Sequence, residues 1–105
     1  MAAQSGEGQP QVITSSDGKL QTLHHKMSAN RFGHRVVEGA VRNISSDSKV
    51  SAEIKAEYYD AAGTLIATEV DVVRRLEPGK TGAFEVVYSG PQRPDVQYYK
   101  IASLQ

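Results

Sequence analysis

The sequence contains no cysteine and carries no net charge. Without cysteine the chain can form neither a disulfide nor a thiolate zinc site, and it has no cysteine nucleophile. The 12 basic and 12 acidic side chains cancel. Because no run of like charge exceeds the pair Arg74 and Arg75, the footprint of a nucleic-acid or anionic-membrane binder is missing. No apolar run approaches the length of a membrane span, so we expect no direct membrane insertion of this segment.

The first eleven residues are small and polar, and residues 12–105 carry nearly all the side chains that could form a core. We therefore expect a disordered N-terminal segment over 1–11 and a single domain over 12–105. The segment also lacks the basic-then-apolar layout of a signal peptide. This leaves two interpretations: the protein is cytoplasmic, or the chain is one domain of a longer exported protein.

The stretch Val50–Tyr58 alternates strictly between apolar and polar side chains. Period two is typical of a half-buried β-strand. Val50, Ile54 and Tyr58 are also four apart, and Ala, Glu and Lys are good helix formers, so a helix is the alternative. A helix would move the intervening alanines off the apolar stripe, which favours the strand.

Other segments show strand-like patterns and are separated by turn residues. They are Leu20–Met27, Arg35–Asn43, Thr64–Val73, Gly82–Tyr88 and Val96–Leu104. In the first, alternation predicts Leu23, His25 and Met27 on one face. Six strands without a convincing amphipathic helix predict an all-β fold, an antiparallel β-sandwich.

In the segment Thr64–Val73 the apolar and acidic side chains separate onto two faces. We expect Ile66, Val70 and Val72 on one face, and Glu69 and Asp71 on the other.

Two connections carry turn chemistry with a mechanism. The Asp60 carboxylate can accept backbone N–H groups two or more residues ahead, and Gly63 tolerates a positive φ. In Glu77–Lys80, Pro78 followed by Gly79 is the pattern of a type II turn.

Two residues of the strand Arg35–Asn43 suggest close packing. Gly39 in mid-strand weakens a sheet unless its space is needed, and we expect a large side chain such as Phe84 or Tyr58 to lie over it. The Asn43 amide can hold the polar loop 45–49 through local backbone hydrogen bonds.

The chain resembles the FxLYD family of small prokaryotic β-sandwich domains over about residues 20–104. Ala56 and Tyr58 stand where the family name has Phe and Leu. The motif residues that carry the resemblance are Val37, Gly39, Val41, Asn43, Tyr59, Asp60, Gly63, Leu76, Pro78, Gly79 and Phe84.

The resemblance implies an immunoglobulin-like antiparallel β-sandwich of six to seven strands, often found in exported or lipid-anchored envelope proteins. It implies no catalytic residue and no cofactor. We therefore expect a non-enzymatic interaction or structural spacer module of a larger exported or envelope protein. Its partner would be another protein or other domains of the parent chain.

The histidines are the first candidates for a metal site. His24 and His25 point to opposite strand faces, so only His25 and His34 remain, which is too few for a predicted metal site. We expect His25 to be partly buried and hydrogen-bonded.

Five acidic residues on predicted strands could pair into a carboxylate cluster, but Lys55 and Arg74 on neighbouring strands favour a solvated mixed-charge face. These acidic residues are Glu53, Glu57, Glu69, Asp71 and Glu85. The serines lie in loops without a histidine at a suggestive spacing, so nucleophilic catalysis has no support.

Five of the seven aromatic side chains are tyrosines, a bias that suits interfaces and carbohydrate stacking. Tyr59 and one of Tyr98 or Tyr99 must face outward. They either cover cross-strand neighbours or, with Tyr59 and Tyr98 as a platform, bind a glycan or other small molecule.

Overall fold

The computed structural model describes residues 12–90 and 96–105. The predicted disordered segment 1–11 and most of the predicted loop 89–95 lie outside these ranges. The described residues form no helix. They form six strands: β1 Leu20–Ala29, β2 Arg35–Asn43, β3 Lys49–Tyr59, β4 Leu65–Leu76, β5 Thr81–Val87 and β6 Tyr98–Leu104.

The strands form two antiparallel three-stranded sheets, ordered β1-β2-β5 and β4-β3-β6. One cluster of buried side chains joins the two sheets. Its largest members include Tyr58, Ile54, Leu20 and Phe84. The prediction of an all-β fold is therefore confirmed. Within the described ranges, no helix is long and apolar enough to cross a membrane.

Strand β3 lies at the centre of its sheet, between β4 and β6. Ala52, Ile54, Ala56 and Tyr58 are fully buried, so the alternation predicted a strand correctly and the helix alternative is wrong. Because β3 is hydrogen-bonded along both of its edges, it sets the positions of β4 and β6.

The predicted facing of β1 is wrong in its first half. A register shift against β2 lies between Thr22 and His24. Ahead of this bulge Thr22 is buried, whereas Leu23 is 38% exposed. Beyond it His25 is buried as expected. A bulge adds one residue to one strand and therefore reverses the facing on either side of it, which strict alternation cannot anticipate.

Val70 and Val72 lie on the face of β4 opposite to Glu69 and Asp71, as predicted, but the acidic face is the one that points inward. Val70 and Val72 are exposed, at 47% and 37%. Glu69 and Asp71 lie opposite buried residues of β3, and directly paired residues share a face, so these two carboxylates point toward the other sheet. A register shift at the β3–β4 turn separates Ile66, which packs against the core, from the face of Val70.

The inward carboxylates of β4 have backbone partners on or just beyond β5. Asp71 Oδ2 accepts a hydrogen bond from the Glu85 N–H at 2.8 Å, and Glu69 Oε2 accepts from the N–H and Oγ of Ser89, both at 3.0 Å. The inner face of β4 thus meets the edge of β5, where N–H groups need acceptors. This is why acidic side chains replace apolar ones there.

Gly39 is in close contact with its neighbours, as predicted. A Cβ built there would lie 2.8 Å from Cζ of Phe84 and 2.1 Å from the carbonyl oxygen of His24. Phe84 is the large side chain expected over the glycine. The closer contact is with the backbone of the β1 bulge.

Asn43 joins three segments at one end of the domain. Its fully buried amide donates to the carbonyls of Asp47 and Leu76, at 2.9 and 3.0 Å, and its Oδ1 accepts from the Ser45 N–H at 3.0 Å. The predicted tie to the loop is confirmed. The bond to Leu76 adds the β4–β5 turn.

Both predicted turns form. Asp60 Oδ1 accepts from the N–H groups of Ala62 and Thr64, at 3.0 and 2.9 Å. Gly63 and Gly79 have φ of 84° and 77°. The Lys80 N–H donates to the carbonyl of Glu77 at 3.0 Å, which closes the predicted turn.

Candidate functional site

The two outward tyrosines lie side by side. Tyr59 at the end of β3 is directly opposite Tyr98 at the start of β6. Both are half-buried, so their rings lie against the sheet and keep one part in solvent. The residues proposed as a platform are therefore direct cross-strand neighbours.

The Tyr59 hydroxyl donates to Oε1 of Glu57 at 2.5 Å. This hydrogen bond, together with partial burial, raises the pKa of Tyr59. Glu57 lies two residues before Tyr59 on the same strand, so this bond holds the Tyr59 ring along β3. Tyr59 is thus a neutral, oriented ring with its polar tip already engaged.

Tyr99 faces the interior, so Tyr98 is the outward member of that pair. The Tyr99 hydroxyl shares a hydrogen bond with Nδ1 of His25. Their rings meet edge to face, with centroids 5.5 Å apart at 88°. Burial raises the pKa of Tyr99 to about 12. The predicted hydrogen bond of His25 is confirmed, but His25 is fully rather than partly buried. The bond links β1 of one sheet to β6 of the other.

Tyr58 forms a second link between the sheets. Its hydroxyl donates to the carbonyl of Val86 at 2.6 Å, and burial raises its pKa. The ring also contacts Tyr88, with centroids 5.6 Å apart.

The three histidines do not converge. His24 is exposed and His25 buried on opposite faces of β1, while His34 lies in the β1–β2 connection. No group of three or more His, Cys, Asp or Glu residues in the described ranges could hold a metal ion. Nδ1 of His34 is buried without a hydrogen-bond partner among those residues.

The acidic residues considered for acid–base chemistry lie on three different surfaces. Glu53 and Glu57 are on the outer face of the β4-β3-β6 sheet, where Glu57 lies opposite Lys100. Glu85 is exposed on the other sheet. The two acids of β4 bond to groups in and just after β5, as described above. The interpretation as one solvated mixed-charge face is therefore wrong for Glu69 and Asp71, because they lie on the face of β4 that points toward the other sheet.

An open trough with a volume of about 470 Å³ is lined by residues of β1, β2 and β5 and by Asp71 of β4. Sequence reasoning missed this feature because it depends on register across three strands. The trough is lined by His24, Lys26, Glu38, Gly39, Asp71, Ala83, Phe84 and Glu85.

Sequence reasoning also missed the connection between β1 and β2. Phe32 there is 67% exposed, and the Arg31 guanidinium carbon is 5.0 Å from its ring centroid. The available signal was a loop with an aromatic residue, two arginines and no acid over residues 29–35.

The chain is an all-β protein of two antiparallel sheets. The side chains of Tyr58, Tyr99 and His25 form hydrogen bonds between these sheets. Its sequence is 34% identical over 84 residues to an uncharacterized protein of the archaeon Methanocaldococcus jannaschii. That match covers 79% of this chain and 62% of the archaeal protein, so the chain spans less than two-thirds of this relative's length. No family model and no solved structure matches the chain.

Proposed function

We propose that the chain is an immunoglobulin-like β-sandwich domain of the FxLYD kind. In this proposal it serves as a non-enzymatic interaction or structural spacer module of a larger exported or envelope protein. Its partner is another protein or other domains of the parent chain.

The strand order supports the immunoglobulin-like part of the proposal. Sheets ordered β1-β2-β5 and β4-β3-β6 fit strands A-B-E and C′-C-F of that fold. The motif residues support it too, since Gly39, Asn43 and Asp60 each make the close contact or hydrogen bond that gives the motif a structural reason.

The main support for a non-enzymatic module is that buried polar side chains are hydrogen-bonded within the fold. His25 bonds across the sheets, and Asn43 bonds three segments together. Ser15 Oγ accepts from the Leu20 N–H at 3.0 Å. A catalytic group must be free to bond a substrate in the transition state. Groups already holding the backbone together favour a structural role.

An NMR titration tests the proposal. Backbone amide shifts are recorded while a panel of cell-wall glycans, nucleotides and divalent metals is added. We expect no shift changes beyond those caused by ionic strength. Turnover of any member, or shift changes converging on His25 and Asn43, would contradict a non-enzymatic module.

The alternative is a glycan- or small-ligand-binding module at Tyr59 and Tyr98, favoured by their direct pairing. Stacking on two adjacent rings would give carbohydrate affinity. The test compares Tyr59→Ala and Tyr98→Ala with the matching Tyr→Phe variants. Loss of glycan binding at an unchanged melting temperature supports a platform. A lower melting temperature without any glycan binding assigns the rings to cross-strand cover.

A further inference from the structure

The outer face of the β4-β3-β6 sheet carries apolar and charged side chains in a regular order. Alternate residues of β3 are buried in the core, so the residues between them and their direct partners on β4 and β6 lie on the outer face. Four rows of paired residues cross this face, and we call them together the association face. The rows are Val72 with Glu53, Val70 with Lys55 and Ser103, Thr68 with Glu57 and Lys100, and Leu65 with Tyr59 and Tyr98.

The apolar side chains of the association face form a column along β4. Leu65, Val70 and Val72 are 50%, 47% and 37% exposed. Thr68, also exposed, lies between Leu65 and Val70. Beside Leu65, the half-buried Tyr59 extends the apolar surface onto β3. Exposed apolar side chains that adjoin on one surface indicate an interaction site, whereas scattered ones do not.

The charges of β3 alternate along the same face. Glu53, Lys55 and Glu57 occupy successive outward positions and are half-buried. Among the described residues Lys55 forms no ion pair, although an acid lies two positions away on each side. Glu57 accepts from the Tyr59 hydroxyl through Oε1, so its Oε2 is still able to accept another bond. The order acid, base, acid is complementary to a copy of itself that is reversed and displaced by one outward position.

We propose that the association face docks a second copy of this chain, face to face, with the two β3 strands antiparallel. The two-fold axis lies in the plane of contact, across the strands, midway between the Lys55 and Glu57 rows. Lys55 of each copy then lies over Glu57 of the other, and Val72 of each lies over Leu65 of the other. A two-fold axis along the strands would instead place every charge of β3 over the same charge of its partner, which like-charge repulsion disfavours.

The size of the association face sets the strength of the dimer. Its four rows extend roughly 20 Å along the strands and 10 Å from β4 to β6, which is less than one side of a standard protein–protein interface. We therefore expect a weak dimer that forms as the chain concentration rises. The chain carries no net charge, so overall repulsion does not oppose it.

This inference goes beyond the proposed function and does not rest on it. The dimer depends on the outward side chains of one sheet, whether or not the chain is a module of a larger exported or envelope protein.

Sedimentation velocity at increasing chain concentration tests the proposal. We expect the average mass to rise from that of a monomer toward that of a dimer. Val72→Asp places a carboxylate over Leu65 of the other copy and should weaken association by at least about 10-fold, because the charge loses water without gaining a partner. Leu23→Asp is the matched control. Leu23 is 38% exposed but lies on β1 in the other sheet, so this variant should associate as the unmodified chain does.

A charge exchange tests the orientation of the two copies. Lys55→Glu alone puts acids at both facing positions, and Glu57→Lys alone puts bases at both, so each variant should stay monomeric. When the two variants are mixed in equal amounts, an acid faces a base at both positions, and association should return. Circular dichroism of each variant checks that the fold is unchanged.

An unmodified chain that stays monomeric at every concentration would overturn the proposal. Equal weakening by Leu23→Asp and Val72→Asp would contradict it and assign the contact to another surface. A mixture of the two charge variants that fails to associate would rule out the antiparallel arrangement. If the unmodified chain stays monomeric while a glycan shifts the amide signals of Tyr59 and Tyr98, the face binds a ligand and not a second copy.

Discussion

Replacing Gly39 by alanine tests whether the β1 bulge and the β2 glycine depend on each other. The added Cβ would lie 2.1 Å from the His24 carbonyl oxygen, 2.8 Å from Cζ of Phe84 and 3.0 Å from Cα of His25. Two of these atoms belong to the backbone of β1 and cannot rotate away. The β1–β2 ladder must therefore shift to admit one methyl group.

The expected cost of Gly39→Ala lies at the upper end of the usual range for overpacking, about 3 kcal/mol. For a domain of this size, such a loss lowers the melting temperature by roughly 12–24 °C. Urea unfolding followed by far-UV circular dichroism measures the free energy of unfolding directly. The midpoint should fall while the slope with urea stays unchanged.

Two comparisons separate the backbone clash from other causes. Gly18→Ala changes a glycine with φ of 75° and nothing within 4 Å of its Cβ, so it reports conformational strain alone, about 1–2 kcal/mol. Phe84→Leu removes the aromatic contact but leaves the His24 carbonyl. The double variant Gly39→Ala with Phe84→Leu should stay as unstable as the sum of the two changes. Recovery of stability in the double variant, or a smaller loss for Gly39→Ala than for Gly18→Ala, would refute the reasoning.

Three further changes have defined outcomes. Asn43→Ala removes a fully buried amide that donates to Leu76 and leaves its partners unpaired, so the free energy of unfolding in urea should fall by about 2–4 kcal/mol. Burial raises the pKa of Tyr99 to about 12. Its contribution to the free energy of unfolding is therefore complete below the unfolded pKa near 10 and is lost as the pH rises toward 12. In Tyr99→Phe this loss should be missing from the pH dependence of unfolding. Asp71→Ala frees the Glu85 N–H on β5 and should cost under about 1 kcal/mol, while light scattering on prolonged storage rises because an edge is uncovered.

The sequence predicted the elements whose cause is local. Alternation located β3, and the chemistry of Asp60 and Gly79 located both turns, because these signals reside in a few consecutive residues. Asn43 was predicted to hold its own loop, which requires only neighbours within a few positions. Its bond to Leu76 was not predicted, because it depends on where the chain returns 33 residues later.

The errors share a physical reason. The facing of Leu23 was wrong because a bulge adds one residue to β1. Glu69 and Asp71 were wrongly placed on a solvated outer face, because acidic side chains were expected to face water. On β4 the inner face meets the edge of β5, and this edge requires hydrogen-bond acceptors. Neither the bulge nor the sheet order follows from a single segment.

The candidate surfaces were predicted only in part. Tyr59 and one of Tyr98 or Tyr99 were predicted to face outward, because alternation places neighbouring residues on opposite faces, and Tyr98 is the outward one. Their direct pairing required the β3–β6 register. The trough brings together residues of β1, β2, β4 and β5, an arrangement that no linear pattern records.

The treatment of the sheet edges limits how a partner protein could dock. Side chains of β4 accept the Glu85 N–H on the edge of β5. At the start of β1, the Thr22 N–H donates to the Ile13 carbonyl at 2.9 Å, and Thr14 forms a bridge with Gln21. Pairing of an added strand needs a row of free backbone groups. At these two places some of the backbone N–H groups are already hydrogen-bonded within the described residues, which disfavours strand addition there. A partner at these two places would have to contact side chains rather than add a strand.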